Sequence, residues 1–375
     1  MQALEGLRVV DMATVLAGPG AARYLADFGA DVIKVEAPQG DGTRRMGWQP
    51  PEGGDAYMWK LLGRNKRSVV LDLKLEADLA AMRQLVASAD VLVENFRPGT
   101  LERLGLSPNG LLDANPGLVI LRITGFGQDG PYASRPGFAT IAEAMSGFAS
   151  MNGEPDGGPL LPPIALTDEI TALAGAFSVM VAIHHRDRTG EGQVVDVNLL
   201  ETMIQMLGAL PSASAHLDYV QPRLGSGIPY TVPRGTYLCN DGKWVAISTS
   251  AESVAERVMA LLGVGDDQRF KTFDGRIEHR DELDKIVSNW IGARGEIEVL
   301  RAFEVAEAAV APVYTVADAL ADPHLAARGT FIEVDGVMMQ GLIAAFGRTP
   351  GEVRHAGRTL GTDTAEVLAE LEADR

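Results

Sequence analysis

Cysteine is almost missing from this sequence: Cys239 stands alone among 375 residues. One thiol cannot build an intramolecular disulfide framework or a cysteine-based zinc cluster, and its isolation points to a reducing cytoplasm. Basic residues are also in deficit, 33 Lys and Arg against 50 Asp and Glu, which leaves a net charge of −17 and a pI near 4.8. A chain so charged repels polyanions, which argues against a nucleic-acid partner and obliges any anionic ligand to find a local basic site. Uninterrupted apolar runs of the ~18 residues that a membrane span needs do not occur. The start, MQALEGLRVVDMA, lacks the basic segment and long apolar stretch of a signal peptide. Neither export nor a membrane partner is therefore expected.

Familiar catalytic signatures are scarce too. There is no G-x-S-x-G elbow, no H-E-x-x-H and no Walker phosphate loop, and no metal ligand set suggests itself. The turn ATVLAGPGAARYL holds Gly18-Pro19-Gly20 but no G-x-G-x-x-G, and Pro19 removes a backbone donor that a pyrophosphate would use. A plain helix start is the stronger reading, and Glu36 alone makes a poor ribose site. His184 and His185 fall near the end of a helical run, where surface or packing roles suit them. Cys239, with no histidine near it in sequence, reads as a small buried apolar residue.

What is present is an ordinary globular composition, 46% hydrophobic and 22% charged, over a length that normally exceeds one core. Strands and helices alternate through residues 1–125. Leu7–Ala13, Asp31–Glu36, Ser68–Leu73, Asp90–Phe96 and Leu118–Gly127 read as strands, with helices over Pro19–Ala30 and Glu76–Ala89. Such alternation implies an α/β fold, a doubly wound and mostly parallel sheet with ligands at the carboxyl ends of its strands. From about Pro136 to Leu210 the pattern is helical, VDVNLLETMIQML included, around a Gly/Pro loop at Asn152–Thr167. Residues 206–240 are rich in turns and mark a domain boundary. Beyond it come a strand at KWVAIST, acidic and basic helices to Ala311, a hairpin strand at Gly329–Gly336 and a helical tail.

Between Lys34 and Arg103 the charge deficit disappears, with eleven basic residues against ten acidic ones. Arg44-Arg45 and Arg64-x-Lys66-Arg67 stand out there and read either as solvated loops or as a phosphate cradle. Asp168 is the most interesting carboxylate. It follows the apolar run LLPPIAL and opens the small-residue helix TALAGAFS. A helix N-terminus lowers a carboxylate's pKa, whereas an apolar setting raises it and sharpens the nucleophile. The residues alone favour a simple N-cap.

Seven blocks in order now carry a resemblance: LEGLRVVDMATVLAGPGAARYLADFGADVIKVEAP, NKRSVVLDLK, ADVLVENFRPGTLERLGL, TGFGQDGPYASRPGF, AEAMSGF, TGEGQVVDVNLLETM and APVYTVADALADPHLAARG. From Leu4 to its end the chain resembles the class III CoA-transferases, the group that includes carnitine CoA-transferase, formyl-CoA transferase and α-methylacyl-CoA racemase. The resemblance implies a large α/β domain, residues 1–205 completed by 325–375, with a smaller α+β domain at 206–324. It also implies a homodimer of two subunits interlocked as rings. Asp168 would attack an acyl-CoA thioester and pass through covalent aspartyl intermediates. Coenzyme A would enter as substrate, with no permanently bound cofactor. Ala17, Leu71, Asp72, Lys74, Asn95, Phe96, Arg97 and Arg103 match the family's CoA contacts, the three cations for phosphates and Leu71 and Phe96 for adenine.

Departures separate the branches. The racemases carry a His-Asp pair where this sequence has Gly137-Phe138-Ala139, and phenylalanine cannot accept an α-proton. Formyl-CoA transferases have Gln at Leu16, Arg at Ala37 and a glycine-rich loop where Arg223–Pro229 stands. The resemblance therefore implies a transferase with a more apolar acyl pocket, with succinyl-CoA as a donor and a medium-sized or branched acid as acceptor. An α-carbon racemase or epimerase is the alternative, and a non-catalytic CoA-binding protein the remote one.

Overall fold

The computed structural model describes residues 2–373. The chain forms two compact units, one from Met1–Ser146, Pro162–Gly208 and His324–Arg375, the other from Gly147–Leu161 and Ala209–Pro323. The first contains β1 (Arg8–Asp11), β2 (Asp31–Glu36), β3 (Lys66–Val70), β4 (Val91–Glu94), β5 (Val119–Thr124) and β6 (Val194–Asn198). All are parallel, in the order β3-β2-β1-β4-β5-β6. The central strands are covered on both faces and so read as continuous apolar runs, RVVD, VLVE and VILRIT, rather than as alternations.

Five helices matter for the site: α1 (Ala17–Asp27), α2 (Glu76–Ala87), α3 (Ala139–Met145), α4 (Leu166–Thr189) and α5 (Thr364–Ala373). One sheet face carries Val9, Val32, Val91, Val119 and Leu121 beneath α1 and α4; Val10, Ile33, Leu92 and Ile120 face α2 and α5. Helix α4, with mean hydropathy 1.5, is apolar and long enough to cross a membrane by composition alone. Its Ala172, Ala176, Val179, Ala182 and Ile183 nevertheless pack into the sheet core, as a core helix does. The C-terminal segment closes the opposite edge. Ser68 N donates to Asp363 Oδ2 at 2.7 Å and Val70 N to Thr364 Oγ1 at 3.0 Å, so β3 leaves those edge donors satisfied.

The doubly wound α/β expectation is met, with two local corrections. Val194–Asn198, expected to be helical, is the sixth strand: its V-V-D-V alternation suits an edge strand, and Asn198 Oδ1 caps the next helix by accepting from Glu201 N. Of the two basic clusters only Arg45 is exposed, donating to Gln39 O; the other four cations are held by carboxylates and so do not form a phosphate cradle. Arg44 is buried against Glu36 and Asp55, Arg64 against Asp27, Lys66 against Asp11, and Arg67 pairs with Asp31 and Glu370. Their charge is engaged inside the fold.

The second unit is α+β. Antiparallel β7 (Arg234–Leu238), β8 (Trp244–Ser248) and β9 (Val310–Pro312) pack with helices around Val245, Ile247, Val258, Phe270, Leu283, Val287 and Phe303. Cys239 lies in this core, and burial pushes its thiol above the ordinary range, so it is a packing residue. Gly147–Leu161 also belongs to this unit, although its sequence position lies between large-unit segments. Arg223 explains why: its guanidinium donates to Ser150 O and Glu154 O, and Gly225 N donates to Gly153 O at 3.0 Å.

Candidate active site

Strand order reverses between β1 and β4, which places the sheet's crevice at the loops that follow these two strands. Asn95, directly after β4, spans the crevice. Its Nδ2 donates to Thr14 O at 2.6 Å and its Oδ1 accepts from Thr14 N at 2.8 Å. Ala17, the first residue of α1, is buried just beyond this clasp. Phe96 is half-buried, with its N–H held by Glu94 Oε2 at 2.7 Å. Glu94 is itself fixed by Arg122 Nε at 2.6 Å.

The loops after β3 and β4 supply the cations. Asp72 shapes its turn by accepting from Lys74 N at 3.1 Å, while its own N–H donates to Asp78 Oδ2 at 2.7 Å. This leaves Lys74 exposed. Arg97 and Arg103 are exposed as well, Arg103 bonding only Thr100 Oγ1 at 2.7 Å. None of the three forms an ion pair among the described residues, in contrast to Arg44, Arg64, Lys66 and Arg67. Unpaired cations at the carboxyl ends of parallel strands suit an anionic ligand. Leu71 departs from the expectation of an adenine contact: it is 2% exposed, and its side chain is enclosed in the sheet core.

Asp168 sits in the first turn of α4, but Ala165 occupies the N-cap position and no side chain caps the helix. The Asp168 carboxylate accepts no hydrogen bond among the described residues. Burial pushes its pKa up to about 6, aided by the charges of Glu143 and then Glu169. Desolvation and like charge thus outweigh the helix terminus. Glu143 projects from α3, is 4% exposed, and accepts from Thr167 Oγ1 at 2.9 Å. Glu169 turns the other way, to Tyr24 Oη at 3.1 Å and Arg23 Nη2 at 3.3 Å.

Small residues bring these parts together. A Cβ on Gly20 of α1 would lie 2.8 Å from Ala172 Cβ, one turn beyond Asp168 on α4. A Cβ on Gly125, just after β5, would meet Gly137 Cα at 2.6 Å, so only glycine lets the segment leading into α3 cross the strand end. Phe138, next in line, is 66% exposed.

Comparison with known proteins gives the family. Residues 4–364 match the model of CoA-transferase family III. The chain belongs to that family. It is a CoA-transferase, an enzyme that carries coenzyme A between a thioester and a free carboxylic acid. Among its relatives, the succinyl-CoA–L-malate CoA-transferase alpha subunit of Chloroflexus aurantiacus is 39% identical, covering 98% of this chain and 88% of that one. The succinate–glutarate CoA-transferase of Agrobacterium fabrum is 36% identical, covering 98% and 96%. A solved CAIB/BAIF family protein from Brucella suis superposes with a TM-score of 0.88 at 33% identity, covering 99% of each chain.

Several neighbours of this CoA-transferase's candidate nucleophile carry no signal of their own in sequence. Glu143 falls within the block AEAMSGF, yet nothing local shows that its carboxylate is buried and reaches Thr167, 24 residues on. The Glu169 contacts with Tyr24 and Arg23 span 145 and 146 residues.

Proposed function

We propose that this protein exchanges CoA between an acyl-CoA and a free carboxylate through covalent intermediates on Asp168. The observation that carries the reading is the Asp168 carboxylate itself, unbonded and raised to about 6. At pH 7 such a group is roughly nine-tenths ionised and more basic than an ordinary aspartate. It is therefore available as a nucleophile and stronger than its solvated counterpart.

Exchange then proceeds in four balanced steps. An Asp168 oxygen adds to the thioester carbonyl and the C–S bond breaks, giving a mixed anhydride and CoA thiolate. The thiolate attacks the aspartyl carbonyl, forming an aspartyl-CoA thioester and releasing the first acid as its carboxylate. The acceptor carboxylate attacks that thioester and again displaces the thiolate. The thiolate finally attacks the acceptor's acyl carbon, which frees Asp168. No net proton moves, and one negative charge passes between oxygen and sulfur throughout. CoA is placed at the β1/β4 crevice, with Lys74, Arg97 and Arg103 toward its phosphates and Asn95, Phe96 and Ala17 lining the approach.

Succinyl-CoA is the proposed donor and a small dicarboxylate the acceptor, a choice supported by the names of relatives that use L-malate, D-citramalate and glutarate. A homodimer is part of the proposal. Leu173, Phe177 and Val181 recur every four residues on α4 and are 39%, 70% and 54% exposed, an apolar stripe suited to a second chain. Native mass spectrometry distinguishes a homodimer from a monomer. A reducing cytoplasm suits the single buried thiol.

The decisive experiment is mass spectrometry of the protein after incubation with succinyl-CoA and hydroxylamine quenching. A hydroxamate at Asp168, and loss of exchange in Asp168→Ala, are expected. Full exchange by Asp168→Ala, or rapid solvent deuterium entry at the acyl α-carbon, would overturn the reading.

A further inference from the structure

Beneath the β1–α1 turn lie four buried charges that the exchange steps do not use. Asp11, Lys34, Asp41 and Lys66 are each at most 4% exposed. Asp11 ends β1, Lys34 lies opposite it on β2, and Lys66 opens β3 opposite Val32, so all three share the sheet face that α1 covers.

Their polar atoms converge on one stretch of backbone. Lys66 Nζ lies 2.9 Å from Asp11 Oδ2 and donates to Pro19 O at 2.6 Å. Lys34 Nζ donates to Ala13 O and lies 3.6 Å from both Asp11 Oδ1 and Asp41 Oδ2. Asp11 Oδ1 accepts from Ala13 N at 3.1 Å. The N–H and C=O of Ala13 and the C=O of Pro19 are thus all held from below, while Asn95 holds both backbone groups of Thr14 from the crevice side. Between these anchors Val15 has φ 66°, a left-handed conformation that a β-branched residue adopts only where its surroundings impose it.

Stability alone does not account for the group. Deeply buried ion pairs are commonly matched or bettered by apolar side chains of equal volume, and the neighbouring positions of this sheet use such side chains. An apolar side chain cannot, however, bond a backbone carbonyl. We propose that Asp11, Lys34, Asp41 and Lys66 are positioning residues that hold the β1–α1 turn, strained at Val15, in the shape that receives CoA. This rests on the placement of CoA at the β1/β4 crevice.

The test measures CoA affinity by titration calorimetry, together with kcat, KM and Tm, on the full-length chain. Lys34→Met and Lys66→Met keep most of each stem and remove the ammonium. Arg67→Met removes two less deeply buried ion pairs, to Asp31 and Glu370, on the same edge strand as Lys66 but away from the turn. Both lysine variants are expected to bind CoA about tenfold or more weakly, with KM raised more than kcat is lowered, since a small shift of a positioned segment has effects of this order. Arg67→Met is expected to lower Tm while leaving CoA affinity within about twofold. If a lysine variant fails to fold, Asp41→Asn, which removes only the charge facing Lys34, takes its place with the same expectations. Unchanged CoA affinity in the folded variants, or equal weakening by Arg67→Met, overturns the inference. Asn95→Ala separates the two readings: if it weakens CoA binding while the lysine variants do not, only the positioning role falls. If it too has no effect, the crevice placement falls.

Discussion

Asn95 and Thr14 bind each other twice, side-chain amide to backbone carbonyl at 2.6 Å and backbone amide to side-chain oxygen at 2.8 Å. This two-point clasp joins the loops after β1 and β4, the two strands between which the order of the sheet reverses. It fixes the width of the crevice where open α/β sheets bind their ligands.

Asn95→Ala removes both bonds and leaves Thr14 to water. Substitution by Asp keeps the acceptor for Thr14 N but faces Thr14 O with a carboxylate in place of a donor. Both are expected to raise the KM for acyl-CoA, with the smaller change in kcat, and Asp to be the worse because it also repels the CoA phosphates. Steady-state kinetics with succinyl-CoA at fixed acceptor reads the split. A pure loss of kcat would place Asn95 in the chemistry rather than in binding.

Asp168 couples stability to pH in a direction opposite to that of a salt-bridged carboxylate. Its folded-state pKa of about 6 lies above the ordinary 3.8, so the native state holds a proton that the unfolded chain has already lost. Stability from this group is complete below pH 4 and falls as the pH rises to 6. Asp168→Asn removes the penalty. At pH 7 the variant is expected to be more stable by about 1–3 kcal/mol, the lower part of that range allowing for solvent screening at a partly exposed group, with no difference at pH 4. Denaturant unfolding of both proteins across this range checks it. A difference that does not change with pH sinks the assignment.

Much of the sheet was legible because its signals are local. Apolar runs mark β1, β2, β4 and β5, while β3 begins at Lys66, two residues ahead of the apolar stretch expected at Ser68–Leu73; Gly29 and the small-residue start mark the ends of α1. The destination of a charge is not local. Lys66 and Arg67 look like part of a basic surface cluster until Asp11, 55 residues away, and Asp31, 36 residues away, are found beside them. Asp168 could be singled out by its apolar approach and small-residue helix. Which of two opposing influences governs it depends first on how deeply the carboxylate is buried and then on Glu143, and only the packing of α3 against α4 reveals either.

The contrast between unpaired and engaged cations yields a paired expectation. Lys74→Ala and Arg103→Ala remove exposed charges without ion pairs, at the cost of no more than the Arg103 bond to Thr100, so Tm should change little while the KM for acyl-CoA rises. Arg64→Ala leaves Asp27 buried without its partner, which costs about 3–5 kcal/mol when a buried pair is broken. Its KM, measured where the protein is still folded, should stay near the parent value. Thermal melts beside kinetics decide this, and an Arg64 variant that is stable yet poor in CoA binding would return the Arg64–Arg67 cluster to the phosphate site.

Glu143→Gln isolates the electrostatic part of the Asp168 environment. The glutamine oxygen can still accept from the Thr167 hydroxyl, so the contact between α3 and α4 survives while the negative charge goes. With one of its two like-charged neighbours neutral, Asp168 ionises more readily and its pKa moves down from about 6. The acid limb of kcat/KM should follow it to lower pH, and the plateau should fall because a less basic carboxylate is a weaker nucleophile. Glu143→Ala differs in kind: it leaves the Thr167 hydroxyl, 0% exposed, with only the weak acceptor Met203 Sδ at 3.5 Å, a loss of about 1 kcal/mol or more that should appear in Tm. A pH–rate profile of Glu143→Gln that superimposes on the parent would show that the limb belongs to another group and that Glu143 acts only in packing.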